Sequence, residues 1–161
     1  QPLTQFYSFS STLKKDNITI SNHVVSYAMR PVDERLCRKT GHATGSAVHE
    51  LVRLRSGQGE PLMIETSYLP VKRFPSLDVE RLENGSLYDF LTAAYGFEIH
   101  NVRETLRPVM PLPQEKELLQ ITGTLPCILL ERFTHENGAC AEYTKSIVRG
   151  DKYIFSVELK K

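Results

Sequence analysis

The chain has 161 residues and a mass of 18.3 kDa, the span of one domain over residues 1–161. Its 40% hydrophobic and 24% charged residues suit a globular fold with a real core and exclude a disordered or collagen-like chain. Lys plus Arg total 20 against 19 for Asp plus Glu; a net charge of +1 gives no overall positive field and argues against nucleic-acid binding by this chain alone.

From the N-terminus, Ser8, Ser10, Ser11 and Thr12 precede Leu13, Lys14 and Lys15, the pattern of a capped short helix closed by Asp16-Asn17. Ile18 to Arg30 is strand-like in its β-branched and aromatic positions, and Pro31 breaks it. Asp33 to Lys39 suits one or two helical turns ending at Gly41. Ala47 to Arg55 and Pro61 to Leu69 make a hairpin across the turn Ser56–Glu60. Ser86 opens the clearest helix, with Leu87, Phe90, Leu91 and Ala94 on one face and Gly96 at its end. Phe97 to Val109 reads as a long strand, and Pro113 to Ile121 as a second helix terminated by Gly123. Leu125 to Phe133, Ala139 to Val148 and Lys152 to Leu159 read as three further strands, the first two joined through Asn137-Gly138. The sum is an α+β fold with an antiparallel sheet of about six strands.

No apolar run is long enough for a membrane helix, and no basic-then-apolar signal opens the chain. Three cysteines without a C-x-x-C argue against a disulfide framework and for a reducing cytoplasm. The five histidines match no zinc spacing, so neither metal nor cofactor is expected. Nucleophile-elbow, P-loop and dinucleotide-binding motifs are absent, and Cys37 and Cys140 read as packing residues.

Arg53 and Arg55 carry the most chemistry. Two residues apart on a strand, they emerge on one face, and neighbouring guanidiniums repel unless they share an anion or acids. The spacing fits an anion site; it also fits a solvated face or ion pairs with Glu50 and Glu65. A register with Arg55 opposite Pro61, Arg53 opposite Met63 and Leu51 opposite Glu65 puts Glu65 on the arginine face, whereas a slip of one residue removes it. Ser10 and Ser86 each sit at a helix start, where free amides and the dipole suit a phosphate and equally suit plain N-capping.

An ordered motif set runs nearly end to end: Phe6-Tyr7-Ser8-Phe9-Ser10, Leu51-Val52-Arg53-Leu54-Arg55, Gly59-Glu60-Pro61-Leu62, Glu65 to Pro70, Gly85-Ser86-Leu87-Tyr88, and Arg149-Gly150-Asp151-Lys152-Tyr153-Ile154-Phe155. With it the chain resembles the effector-binding UTRA domain of GntR-type transcription regulators of the HutC subfamily. The resemblance implies a chorismate-lyase-like fold around a six-stranded antiparallel sheet. It further implies a homodimer and the sensor half alone, without the N-terminal winged helix-turn-helix through which operator DNA is bound. By the same resemblance, Phe9, Ser10, Arg53, Arg55, Ser86 and Tyr88 would surround the phosphate of a phosphosugar effector. Glu65 and Glu142 would meet its hydroxyls or an amine. Arg149 and Asp151 are expected to brace the C-terminal strands or a dimer contact. The alternatives are a lyase for an aromatic carboxylate such as chorismate, with a glutamate as general acid, and a dimerisation module with a vestigial pocket.

Overall fold

The computed structural model describes residues 19–154 and Lys161. Six strands, β1 (Ile20–Pro31), β2 (Ala47–Gly57), β3 (Glu60–Pro70), β4 (Asn101–Val109), β5 (Cys127–Glu136) and β6 (Ala139–Arg149), form one antiparallel sheet in the order β1-β2-β3-β6-β5-β4. Four helices accompany them among the described residues: α1 (Glu34–Thr40), α2 (Val79–Leu82), α3 (Leu87–Tyr95) and α4 (Pro113–Leu119). The expected α+β class and antiparallel sheet are observed.

Both tight hairpins turn on adjacent residues with positive φ, Gln58-Gly59 and Asn137-Gly138, the backbone that matches strand twist. The first turn is therefore two residues long, not the five expected. With a bulge between Arg55 and Ser56, it moves the β2–β3 register by two residues: Arg53 faces Glu65, and Arg55 faces Met63. Two residues is a whole pleat repeat, so Glu65 stays on the arginine face.

Other expectations need correction. β4 starts at Asn101 rather than Phe97, because Phe97 is buried under α3 with Leu91 and Phe74. α4 ends on Gln120 in the left-handed region (φ 55°), before Gly123. Ala94 is exposed; Leu87 and Leu91 carry the buried face of α3, and Phe90 is half-buried. Lys152 to Ile154 form no strand, and residues 155–159 of that expected strand lie outside the described residues, as does the expected helix at Ser8–Lys15. α2 was missed, since four residues show no period.

The sheet has two covered faces. On the inner face, α2 and α3 pack over Leu51, Leu69 and Phe74 through Leu82, Leu87 and Leu91. On the outer face, α1 packs Leu36 against Val48, Phe133 and Tyr143, and α4 packs Leu119 against Ile64 and Cys127. Arg149 forks onto Asp151 (Nε–Oδ1 3.1 Å, Nη2–Oδ2 3.0 Å) and donates to Leu119 O at 2.9 Å. It thus braces the end of β6 against α4, in line with the structural role expected of the pair. All three cysteines are free; burial pushes the Cys140 thiol up to about 11 and raises that of Cys127, which suits packing rather than nucleophilic attack.

Candidate functional site

Alternation along β2 sends Arg53 and Arg55 to the inner face, where the start of α3 overhangs the sheet. Between them lies a cavity of about 260 Å³ lined by Arg53, Arg55, Glu65, Ser86, Tyr88 and Glu142. Six of the eight residues singled out in the sequence therefore converge on one space. The other two, Phe9 and Ser10, lie outside the described residues.

Both arginines are buried, 3% and 8% exposed. They share one carboxylate: Arg53 Nη2 donates to Glu65 Oε1 at 3.3 Å and Arg55 Nη1 to Oε2 at 3.0 Å. Burial alone would raise the Glu65 pKa, but the two guanidiniums outweigh it and hold the carboxyl at about 2. Two positive charges against one negative leave this group net cationic at neutral pH. The ion pairing with Glu65 that competed with an anion site in the sequence is thus present, yet it neutralises only half the pair. Glu50 pairs instead with Arg30, away from the cavity. Arg53 Nε is buried without a hydrogen-bond partner among the described residues, a donor whose desolvation these residues do not offset.

Arg53 also ties the sheet to the loop ahead of α3, donating through Nη1 to Gly85 O (3.1 Å) and Leu82 O (3.4 Å). Gly85 itself passes close to the backbone of α2: a Cβ there would stand 2.6 Å from Arg81 O. Ser86 then caps α3, its Oγ accepting from Asp89 N at 3.3 Å. Leu87 and Tyr88 line the same cavity, and as the first residues of α3 their amides have no carbonyl a turn earlier to bond. They add donors and a positive dipole end, which Asp89 partly offsets.

The opposite wall is a buried hydroxyl–carboxyl network. Glu142 Oε1 accepts from Tyr88 Oη and, at 3.3 Å, from Thr134 Oγ1; its Oε2 accepts from Thr144 at 2.8 Å. Burial raises the Glu142 pKa, and Arg132 and Tyr88 pull it back only in part. Arg132 donates to Tyr88 Oη at 3.1 Å and pairs with Glu104 across β4–β5 (Nε–Oε1 2.7 Å).

Arg132, Thr144, Asn22 and Asn84 line the cavity and were not singled out in the sequence. Arg132 sits in a run with no clean alternation, half-buried between Glu131 and Phe133, which are both buried. Asn22 accepts from Arg55 Nε at 2.9 Å, a meeting set by the β1–β2 register rather than by any local motif. No group of three or more His, Cys, Asp or Glu side chains able to hold a metal occurs among the described residues.

The UTRA domain family matches residues 15–154. The chain belongs to the UTRA domain family. This UTRA domain is 28% identical over 156 residues to the HTH-type transcriptional repressor NagR of Bacillus subtilis, covering 96% of the chain and 64% of NagR. It is 25% identical to the mannosyl-D-glycerate transport/metabolism system repressor MngR of Escherichia coli, covering 95% and 64%. The UTRA chain thus spans about 64% of the length of these curated relatives. The crystal structure of PhnF from Mycobacterium smegmatis superposes with a TM-score of 0.87 at 25% identity, covering 99% of this chain and 71% of that one. The effector binding domain of the B. subtilis trehalose repressor TreR, at 22% identity and TM-score 0.78 over 88% of this chain and 98% of that one, shares the fold. No helix among the described residues is long and apolar enough to cross a membrane.

Proposed function

We propose that the chain is the effector-sensing domain of a GntR-type, HutC-subfamily transcription regulator. It binds a small anionic metabolite, a phosphorylated sugar such as glucosamine 6-phosphate, in the inner-face cavity. The observation that carries this reading is the convergence of Arg53, Arg55 and the start of α3 on one cavity, with a single carboxylate between the two guanidiniums. At about 260 Å³ the cavity lies below the roughly 300–1,000 Å³ of most ligand pockets, the scale of a monosaccharide derivative. The phosphate would lie among Arg53, Arg55, Ser86 and Tyr88 at the start of α3; sugar hydroxyls or an amine would meet Glu65 and Glu142. The domain works as a cytoplasmic homodimer, and effector binding shifts the orientations of attached winged helix-turn-helix domains through its different affinity for each.

The test is a thermal shift with glucosamine 6-phosphate. At 100 times its dissociation constant the ligand should stabilise by about 2.7 kcal/mol, raising the melting temperature by roughly 5–10 °C. Arg55→Ala should abolish most of that shift, and Arg55→Lys, which keeps the charge without the fork, should retain part of it. No shift with any phosphosugar, or an undiminished one in Arg55→Ala, would overturn the anionic-effector reading. The relatives named as repressors favour a sensor over a lyase, so incubation with chorismate should release neither 4-hydroxybenzoate nor pyruvate.

A further inference from the structure

Near-neutral overall charge conceals a local excess on the outer face. Between α1 and the edge strand β4 runs an open groove of about 350 Å³ whose charged residues are Arg38, Lys39, Arg103, Arg107 and Glu131. Four cations thus meet one carboxylate. That carboxylate is already taken: Glu131 is 5% exposed, pairs with Lys39 Nζ at 3.0 Å, accepts from Tyr143 Oη at 2.6 Å and lies 4.0 Å from Arg107 Nη2. Arg38 and Arg103 are exposed and make no ion pair among the described residues; Arg103 stacks over the Phe133 ring at 4.4 Å, leaving the edge of its fork to solvent. Arg103 and Arg107 sit four residues apart on one face of β4, about 13 Å along the strand.

Exposed cations without acids to balance them set up a local positive field that attracts anions, and the make-up of the groove says which kind it suits. Protein–protein interfaces place an apolar or aromatic centre inside a polar rim. Here the order is reversed: charge fills the centre, Phe133 is buried beneath Arg103, and Leu106, 37% exposed, is the large apolar side chain at the surface. Nucleic-acid interfaces are the more polar and more positive class, and guanidinium forks suit phosphate oxygens. Nor does the edge itself invite a further strand, since β4 carries Pro108 and the charges Arg103, Glu104 and Arg107.

We propose that this outer groove binds the phosphate backbone of duplex DNA, through Arg38, Lys39, Arg103 and Arg107 and without base readout. The groove lies across the sheet from the effector cavity, so a phosphosugar result decides nothing about it. The test is fluorescence anisotropy of an arbitrary-sequence 20-base-pair duplex titrated with this chain from 20 to 200 mM NaCl. Binding at low salt should weaken with a slope of log K against log salt near −3, as about three to four displaced counterions require. The double variant Arg103→Glu/Arg107→Glu should bind at least tenfold more weakly, while Lys72→Glu, an exposed charge outside the groove, should match the parent. A melting temperature within 2 °C of the parent shows that the double variant is folded; if it is not, Arg38→Glu/Arg103→Gln takes its place. No binding at 20 mM NaCl, or binding indifferent to the groove variants, would overturn the proposal. Tighter capture of polyglutamate than of duplex would also overturn it, in favour of an acidic protein segment.

Discussion

The two faces of the sheet use arginine in opposite ways. On the inner face Arg53 and Arg55 are buried, held by Glu65, Asn22 and the carbonyls of Leu82 and Gly85. On the outer face Arg38, Arg103 and Arg107 are exposed, and the one carboxylate among the described groove residues, Glu131, is held closely by Lys39 and Tyr143 and only at 4.0 Å by Arg107. Burial makes the inner guanidiniums costly and fixes them in advance: their desolvation is met once, during folding, so a ligand finds donors already aimed. The outer ones cost the fold almost nothing and are strongly screened by salt. One residue type thus gives a preorganised pocket on one side and a field-driven surface on the other.

The sharpest way to break this contrast is Glu65→Gln. Neutralising the shared acid leaves two guanidiniums buried side by side, and removing one partner of a buried ionic group costs roughly 3–5 kcal/mol. Urea unfolding at pH 7 should show a midpoint lowered accordingly, with an unchanged slope. A loss below about 1 kcal/mol would mean that the pair is wet and not preorganised.

Acid separates the two buried carboxyls of the cavity. Glu65 is held at about 2 against an ordinary 4.5, so its contribution is complete above 4.5 and lost as pH falls toward 2. That gap corresponds to roughly 3 kcal/mol. Glu142 is shifted the other way by burial, so its contribution is complete below 4.5 and lost as pH rises through its raised value. The parent's acid limb is the sum of these opposed effects. Urea midpoints between pH 2 and 7 should therefore fall more steeply with acid in Glu142→Gln, and less steeply in Glu65→Gln. An identical acid limb in parent and Glu65→Gln would refute the depressed Glu65 pKa.

Gly85→Ala asks whether the inner arginines depend on the loop above them. An added Cβ meets Arg81 O at 2.6 Å, so the backbone must shift, and the hydrogen bond from Arg53 to Gly85 O is expected to weaken with it. Overpacking of this kind costs about 1–3 kcal/mol, and the phosphosugar thermal shift should shrink with it. Parent-like stability together with a full ligand shift would show that the loop does not position Arg53.

The sequence read alone fares differently on the two faces, for a physical reason. Pleat parity puts Arg53 and Arg55 on one face, and Glu65 joins them because the observed register differs from the expected one by two residues, a whole repeat. Local chemistry is enough for Ser86 as a cap, Gly96 as a stop and Asn137-Gly138 as a turn. Tyr88 and Glu142 came from the family resemblance rather than from any pattern in the residues. Arg132 and Asn22 stayed hidden because their roles arise only when β5 lies beside β6 and β1 beside β2. The outer groove was invisible for the same reason: Arg38 and Arg103 are 65 positions apart in sequence, and a net charge of +1 averages over the segregation that folding produces.

The smallest effect is the most discriminating for the outer face. Arg107 Nη2 stands 4.0 Å from Glu131 Oε1 with its side chain 65% exposed, while Glu131 keeps its closer partners Lys39 and Tyr143. Exposed pairs at such distance contribute little, so Arg107→Ala should change stability in urea by less than about 0.5 kcal/mol. A loss above about 1.5 kcal/mol would mean that Arg107 is bound into the fold as tightly as Arg55. An arginine so committed has no fork to offer a phosphate, and the contrast between a built inner site and a free outer surface would collapse at that residue.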